Sequence, residues 1–266
     1  MFLSYAALIE PFSLKVTTWT VTTGKWTYPR QLRIVILTDL HMMKPWMTAG
    51  HLDDIVQATN KLDPDVVLLL GDYAGATRHF GWPVDPDEGL APLKKLTSVC
   101  GAYAVVGNHD IHPPSHWMDA MARTGIPVLK NQALSVRCHG QEFWLAGLED
   151  LWWQHPNLDK TLAQATDKKP VIMMMHNPDL FAEMPGRVAL SVAGHMHGGQ
   201  VKLPFIGAVT AVLPSNFGQR YLYGHIFENG KDLVVSSGLG MTGLPLRFMT
   251  PPEITVVLLK NKNHYE

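Results

Sequence analysis

The sequence predicts an α/β fold in which two β-sheets pack against each other and helices cover their outer faces. Three observations support this fold class. The 266 residues are enough for one large α/β domain. Short apolar segments alternate with helical patterns over most of the chain, and strand-like segments follow one another near its C-terminus. We therefore expect a single domain spanning residues 1–266.

Five short apolar segments each end abruptly at polar residues and predict buried β-strands. Segments of this length, with apolar residues at successive positions, suit a sheet that is covered on both faces. Because helical patterns separate them, they are expected to form a mainly parallel inner sheet. The five segments are residues 34–37, 66–70, 104–106, 171–175 and 190–192.

Two stretches between these strands have the spacing of amphipathic helices. In the first, Leu52, Ile55, Val56 and Leu62 recur at helical spacing after Thr48. The second covers residues 117–122 and follows Ser115, a plausible N-cap.

The C-terminal part differs from the rest of the chain, since strand-like stretches occur there with few helical patterns between them. They cover residues 222–227, 232–236 and 254–259. This arrangement predicts a second sheet that packs against the first.

Composition excludes several classes of protein. Apolar residues make up 46% of the chain, and its 22 basic and 23 acidic residues nearly balance, so neither a disordered tail nor a general nucleic-acid-binding surface is indicated. Cys100 and Cys138 lack the spacing of a thiolate metal site and are expected to be buried thiols.

The sequence shows no apolar run near the roughly 20 residues that a membrane span needs. The apolar opening, residues 1–9, stops at Glu10 and Pro11 without a basic leader or cleavage site. We expect a protein that is cytoplasmic or peripheral at a membrane, and a monomer or an oligomer of unknown size.

Polar clusters follow the five predicted strands. In sheets of this kind, ligand sites form beyond the carboxyl ends of the strands, so these clusters are expected to converge. They are Asp39-Leu40-His41, Gly71-Asp72, Gly107-Asn108-His109-Asp110, His176-Asn177 and Gly194-His195-Met196-His197.

The donor types in these clusters predict a metal centre. Carboxylate oxygen and imidazole nitrogen suit Mn, Fe, Zn or Co, whereas an all-oxygen set would suit Mg or Ca. Seven ligands are more than one ion takes from protein, so two divalent ions are expected, with Asp72 as the bridging candidate. Each cluster alone has an ordinary explanation, because Asp and His also cap helices and turns. Their recurrence after every predicted strand favours metal binding.

These residues resemble the signature of the calcineurin-like metallophosphoesterases, which is D-x-H, G-D, G-N-H-[DE], H and G-H-x-H, over residues 34–197. The resemblance implies a four-layer αββα sandwich of two mixed sheets, with residues 1–30 as an extension and 31–260 as the catalytic core. It also implies two metal sites that share one carboxylate. Their ligands would be Asp39, His41, Asp72 and His197 at one ion and Asp72, Asn108, His176 and His195 at the other.

A narrower resemblance is to the YkuE-like bacterial phosphodiesterase branch. It is suggested by Gly198-Gly199-Gln200 and by residues 237–247 before Pro251-Pro252-Glu253. That branch includes phosphodiesterases and UDP-diacylglucosamine pyrophosphatases, and its members often carry a membrane anchor or export signal, neither of which this sequence shows. The resemblance places Gly199 and Gln200 near the substrate.

The expected activity is hydrolysis of a phosphodiester or pyrophosphate bond by a hydroxide held between two cations. His109 is expected to protonate the leaving group as general acid, since its neighbour Asn108 is assigned to metal. Asp110 is expected either to orient His109 or to cap a turn. Arg247 is either a phosphate clamp or a surface residue.

The expected substrate is a small-molecule or lipid-linked phosphate, and a nucleotide sugar such as UDP-diacylglucosamine is one example. Met and Trp residues near the predicted strand ends form either an apolar rim for such a substrate or ordinary packing. They are Met42, Met43, Trp46, Met47, Phe80, Trp82, Trp152 and Trp153. The alternatives are a nuclease, cyclic-nucleotide phosphodiesterase or protein phosphatase of the same fold, or a non-catalytic metal-binding scaffold.

Overall fold

The computed structural model describes residues 2–75, 80–111, 116–208 and 213–264. Its first large sheet has the strand order β1-β15-β2-β4-β6. Strands β2, β4 and β6 run parallel to one another, and β15 pairs antiparallel with β2 and parallel with β1, so the sheet is mixed. The bounds are β1 Lys15–Thr23, β2 Leu32–Leu37, β4 Val66–Leu69, β6 Ala102–Ala104 and β15 Glu253–Asn261.

The second large sheet has the order β13-β14-β10-β9-β8-β7. Its four central strands are parallel, and β7 and β13 pair antiparallel at the edges. The bounds are β7 Gln132–Cys138, β8 Gln141–Gly147, β9 Val171–Met174, β10 Val188–Ala193, β13 Gly224–Glu228 and β14 Lys231–Val235. Two short antiparallel ribbons complete the strands of the described chain: β3 Met43–Lys44 with β5 Trp82–Pro83, and β11 Lys202–Leu203 with β12 Gly207–Ala208.

The described α-helices are α1 Phe2–Leu8, α2 Ala49–Asn60, α3 Pro86–Leu90, α4 His116–Arg123 and α5 Leu158–Ala163. Helices α2, α3 and α4 pack on the outer face of the first sheet, and α5 packs on that of the second. The predicted start of α2 is confirmed, because the Thr48 side chain accepts a hydrogen bond from the His51 N–H and caps the helix. The predicted cap of α4, Ser115, lies outside the described residues.

Side chains along each strand point alternately to the two faces of its sheet, and this alternation produces the layers of the fold. In β2, Ile34 and Ile36 point into a core shared with Ile172 and Leu190 of the second sheet, so this cluster joins the two sheets. Residues between them, such as Val35, pack with the helices of the first sheet. Side chains of β9 that point the other way pack under α5. Apolar residues at successive positions are therefore buried on both faces of each sheet, and the four-layer sandwich of two mixed sheets is confirmed.

The structure corrects how the predicted strands divide between the sheets. The five strands expected in one sheet are split, since β2, β4 and β6 lie in the first sheet and β9 and β10 in the second. The C-terminal strands form no sheet of their own, because β13 and β14 extend the second sheet and β15 completes the first. Residues 15–23, within the predicted N-terminal extension, form the edge strand β1 along nine residues of β15.

The prediction of two free thiols was also wrong. Cys100, which precedes β6 of the first sheet, forms a disulfide with Cys138 at the end of β7 in the second sheet. Their Cα atoms are 5.4 Å apart, within the usual range for a disulfide. The two residues are 38 positions apart in sequence, and their proximity follows from the packing of the two sheets.

Candidate metal centre

All seven predicted metal ligands lie in loops that follow strands and converge between the two sheets. Asp39 and His41 follow β2, Asp72 follows β4, and Asn108 follows β6, all in the first sheet. The second sheet supplies His176 after β9 and the pair His195 and His197 after β10. All seven side chains are buried. The carboxyl ends of strands from both sheets thus form one site.

A first group consists of Asp39, His41 and His197. The Nε2 atoms of His41 and His197 are 3.1 Å apart, and Asp39 Oδ1 lies 3.4 Å from His197 Nε2. The two imidazole rings stack with their centroids 5.0 Å apart. Three potential ligand atoms of these side chains therefore lie within 4.8 Å of one another.

A second group consists of Asp72, His176 and His195, with Asn108 beside it. His176 Nε2 lies 3.2 Å from Asp72 Oδ2, 3.1 Å from His195 Nδ1 and 3.1 Å from Asn108 Oδ1. The donor set is oxygen and nitrogen, as the sequence predicted for a first-row cation.

Asp72 lies between the two groups. Its Oδ2 atom is 3.5 Å from His41 Nε2 in the first group and 3.2 Å from His176 Nε2 in the second. Its other oxygen accepts a hydrogen bond of 2.9 Å from the His109 N–H. This position is the one that a bridging carboxylate would occupy.

Backbone carbonyls fix which imidazole nitrogens point inward. His41 Nδ1 lies 3.0 Å from the Ala74 carbonyl and His176 Nδ1 2.7 Å from the Leu70 carbonyl, while His195 Nε2 lies 3.1 Å from the Pro214 carbonyl. A carbonyl only accepts, so each of these nitrogens carries the proton. His41 and His195 are neutral, so the lone pairs of His41 Nε2 and His195 Nδ1 point into the site, beside the carboxylates of the two groups. Imidazole lone pairs and carboxylate oxygens directed into one buried site fit a metal centre.

The backbone is strained at five of the seven candidate ligands. Asp39, His41, Asp72, His195 and His197 have φ between 43° and 70°, the left-handed region that non-glycine residues rarely adopt. Such strain is typical of functional sites, where the surrounding structure holds it in place. Two glycines permit the close approach of the loops: a Cβ on Gly71 would overlap the backbone of Gly107, and one on Gly107 would overlap the Asp72 carboxylate.

The charges of the buried groups favour cations. Burial raises the pKa of the Asp39 carboxyl to about 6, and the neighbouring Asp72 carboxylate acts in the same direction. Burial lowers the pKa of His41 and that of His195 to about 3, so both imidazoles are neutral. For His176 burial acts against the charged form, but the carboxylates of Asp72 and Asp39 outweigh it and raise its pKa to about 10. The cluster therefore attracts positive charge.

His109 lies beside the first group. Its ring stands perpendicular to that of His41, with the centroids 5.0 Å apart, and its side chain is half-buried. The hydrogen bond from its N–H to Asp72 fixes its backbone.

Asp110 supports the loop that carries Asp72. Its carboxylate is buried and accepts four backbone N–H groups, those of Asp72, Tyr73, Ala74 and Gly107, at 2.7–3.0 Å. Burial raises its pKa to about 7, with Asp72 adding to the rise. These contacts make Asp110 a positioning residue for the metal loops, and its orientation of His109 stays a prediction.

Three residues that were predicted to bind substrate make structural contacts within the loops. The Arg247 guanidinium is fully buried and donates to the carbonyls of Ser237, Gly238, Gly240 and Thr250, so it is not a surface residue.

The other two are Gln200 and Gly199. The Gln200 side chain bonds the backbone of Thr242 and Leu244. Gly199 has a φ of 84°, and a Cβ there would overlap Ala208. The polar groups of Arg247 and Gln200, and the missing side chain of Gly199, serve loop packing, and substrate binding by these residues stays a prediction.

The apolar residues near the strand ends divide into two sets. Met42, Met43 and Met47 are buried in the core and Trp46 is half-buried, as ordinary packing requires. Phe80, Trp82, Trp152 and Trp153 are exposed.

Sequence reasoning missed Asp150, which is buried and follows β8. Burial raises its pKa and His176 opposes the rise, so it lies within electrostatic reach of the second group. Its position at the end of β8 gave no signal, because that strand was not predicted.

Comparison with known proteins agrees with this geometry. The profile of the calcineurin-like phosphoesterase family matches residues 32–199. A metallophosphoesterase of Bacillus subtilis, YkuE, is 30% identical over 97% of this chain and 90% of its own length. A zebrafish (Danio rerio) transmembrane protein with a metallophosphoesterase domain is 30% identical over 86% of this chain, which spans 53% of that protein.

Among solved structures, the sulfate thiohydrolase SoxB of Thermus thermophilus matches with a TM-score of 0.51 and 11% identity, covering 86% of this chain and 56% of its own. This likeness shows the shared fold. With the family profile covering more than half of the sequence, and with two groups of metal-ligating residues between the sheets, the chain belongs to the calcineurin-like phosphoesterases and is a metal-dependent phosphoesterase.

Proposed function

We propose that this protein hydrolyses a phosphodiester or pyrophosphate bond at a centre of two divalent cations. The observation that carries the proposal is the position of Asp72 Oδ2, 3.5 Å from His41 and 3.2 Å from His176, between two buried groups of ligands. When bound, the cations would supply an activated water and neutralise charge on the phosphoryl oxygens. Asp39, His41, Asp72 and His197 would hold one ion, and Asp72, Asn108, His176 and His195 the other.

His109 is the proposed general acid. Water adds to phosphorus, the bond from phosphorus to the leaving oxygen breaks, and that oxygen takes a proton from the imidazole. The ring is half-buried beside His41, and its backbone is fixed by Asp72, so it is held next to the centre without being one of the grouped ligands.

The test is hydrolysis of bis(p-nitrophenyl) phosphate by protein loaded with Mn, Fe, Zn or Co. We expect activity that a chelator abolishes and that added metal restores. A protein that binds two ions and hydrolyses no phosphoester would be the non-catalytic scaffold instead. A panel of a cyclic nucleotide, single-stranded DNA and a phosphopeptide separates the other activities that this fold supports.

A lipid-linked substrate is favoured by an apolar surface beside the centre. In α1, Leu3 and Leu8 are 65% and 66% exposed, and the only charged residue among positions 2–14, Glu10, is buried. The helix is held by the Trp46 indole, which donates to the Ala7 carbonyl at 3.0 Å. Trp46 and Pro11, which lies three residues after α1, line a cleft together with His41, so Trp46 connects α1 to the loop that carries this candidate ligand. An apolar helix without exposed charge suits the interface of a bilayer.

We therefore propose peripheral contact with a membrane. Among the described residues, none of the helices is both long enough and apolar enough to cross a bilayer. The disulfide between Cys100 and Cys138 favours an oxidising compartment over the cytoplasm, because such bonds rarely persist in a reducing cytosol.

Co-sedimentation with phospholipid vesicles tests this contact. We expect the double variant Leu3→Ser, Leu8→Ser to lose binding. Phe227→Ser is the matched control, since Phe227 is as exposed but lies on β13 of the second sheet. Hydrolysis of UDP-diacylglucosamine compared with its deacylated form tests the lipid preference, and equal efficiency on both would refute it.

A further inference from the structure

The loop after β8 holds two tryptophans in a fixed turn. The buried carboxylate of Asp150 accepts hydrogen bonds from the N–H of Trp152 at 2.7 Å and of Trp153 at 2.9 Å. The Asp150 N–H donates to the Gln154 side chain at 3.2 Å. A carboxylate that binds consecutive N–H groups fixes the direction in which the two indoles leave the backbone.

Trp152 stands against a candidate metal ligand. Its ring is perpendicular to that of His195, with the centroids 4.7 Å apart. Even so, 46% of Trp152 is exposed, and 55% of the adjacent Trp153. Trp152 therefore presents an exposed indole directly beside a residue of the second group of candidate ligands.

We propose that Trp152 is a stacking platform for the base of a nucleotide, whose phosphate binds at the metal centre. This rests on the proposed function. A rigid indole offers a flat face to a planar ring at little cost in side-chain entropy. The neighbouring Gln154 and exposed His155 add polar groups that suit a base better than an acyl chain. The aliphatic surface of α1 adjoins Trp46, which lines the cleft beside His41 of the first group.

The experiment compares AMP with ribose 5-phosphate, which has the same phosphate and sugar without the base. Calorimetric titration of the metal-loaded protein is expected to show AMP binding tighter by roughly 5- to 150-fold, the range for one base on one aromatic side chain. In Trp152→Ala this preference should vanish while the affinity for ribose 5-phosphate stays unchanged. Trp152→Phe should retain most of it.

Two controls separate stacking from a structural role. Trp82→Ala removes an indole that is 69% exposed on β5 and should leave the preference intact. Metal content and melting temperature of Trp152→Ala should match wild type.

Equal affinity of wild type for AMP and ribose 5-phosphate would overturn the proposed stacking platform but not the proposed function. Equal loss of both ligands in Trp152→Ala, together with loss of metal, would make Trp152 a support of His195 and also overturn it. If wild type binds neither ligand yet hydrolyses bis(p-nitrophenyl) phosphate, only the platform is overturned; if it also fails to hydrolyse that ester, the proposed function fails with it.

Discussion

The two sheets contribute different halves of the metal centre. The first sheet supplies both candidate carboxylates, Asp39 and Asp72, and the Asp72 loop packs backbone against backbone on the Asn108 loop through Gly71 and Gly107. The second sheet supplies three imidazoles, of which His176 and His195 are oriented by backbone carbonyls. Each group of ligands mixes residues from both sheets. Neither sheet alone holds a complete site, so metal binding depends on how the two sheets pack.

The largest effect should come from the residue that joins the two groups. Asp72→Asn keeps the shape of the side chain and removes its charge, so we expect both ions to be lost together and kcat/KM to fall by about 10³-fold or more. Metal analysis by atomic absorption checks this. Asp87→Asn, an exposed carboxylate paired with Arg123, is the control. One ion kept at full occupancy would refute the bridge.

The next effect concerns the loop that ties the second sheet to the first. Arg247 binds the carbonyls of Ser237 and Gly238 after β14, and Gly240 of this loop donates to the Asp39 carbonyl. Arg247→Met leaves those carbonyls unpaired and should lower the free energy of unfolding by about 3–5 kcal/mol.

Urea denaturation measures the change in Arg247→Met. Arg220→Met, which removes an exposed arginine paired with Glu228, should change stability little. A folded Arg247→Met of wild-type stability with a raised KM would restore the substrate role.

The disulfide should contribute to the joining of the sheets. Cys100→Ser with Cys138→Ser removes the cross-link and should cost about 2–4 kcal/mol of stability, since a closed loop restricts the unfolded chain. Denaturation of wild type with and without reductant should show the same difference, and reductant should not affect the double variant. Unchanged stability would mean that packing alone holds the sheets.

The smallest effect should appear at His109, which is not among the grouped ligands. His109→Ala should keep both ions and lower kcat by about 10²-fold on a substrate with a poor leaving group. With p-nitrophenyl esters the loss should be smaller, because that leaving group needs no proton. His116→Ala on α4 is the control, since His116 is exposed. An unchanged kcat on the poor leaving group would exclude the role.

Much of the centre could be predicted because its pattern is local. A buried strand needs apolar residues on both faces, and a site at its carboxyl end needs polar residues directly after it, so both appear in a few consecutive positions. Asp39, Asp72, Asn108 and His176 were found in this way. Strands β7 and β8 were missed, and the Asp150 turn was missed with them.

The roles of Arg247, Gln200 and the cysteines could not be predicted in this way. Whether a guanidinium binds a substrate or a set of carbonyls depends on which acceptors surround it after folding, and these acceptors lie up to ten residues away from Arg247. The thiols of Cys100 and Cys138 meet because β6 and β7 lie in different sheets that pack together. The sequence gives the chemical type of each side chain, whereas the fold determines which atoms that side chain bonds.

By itself, the sequence determined which residues can bind metal and that two layers of strands exist, because donor chemistry and burial patterns are properties of short segments. Only the tertiary structure decided which sheet each strand joins, that Asp72 lies between the two groups, and that Arg247 is buried. The physical reason is that strand pairing and hydrogen-bond satisfaction connect residues far apart in the chain, and their outcome depends on the packing of the whole domain.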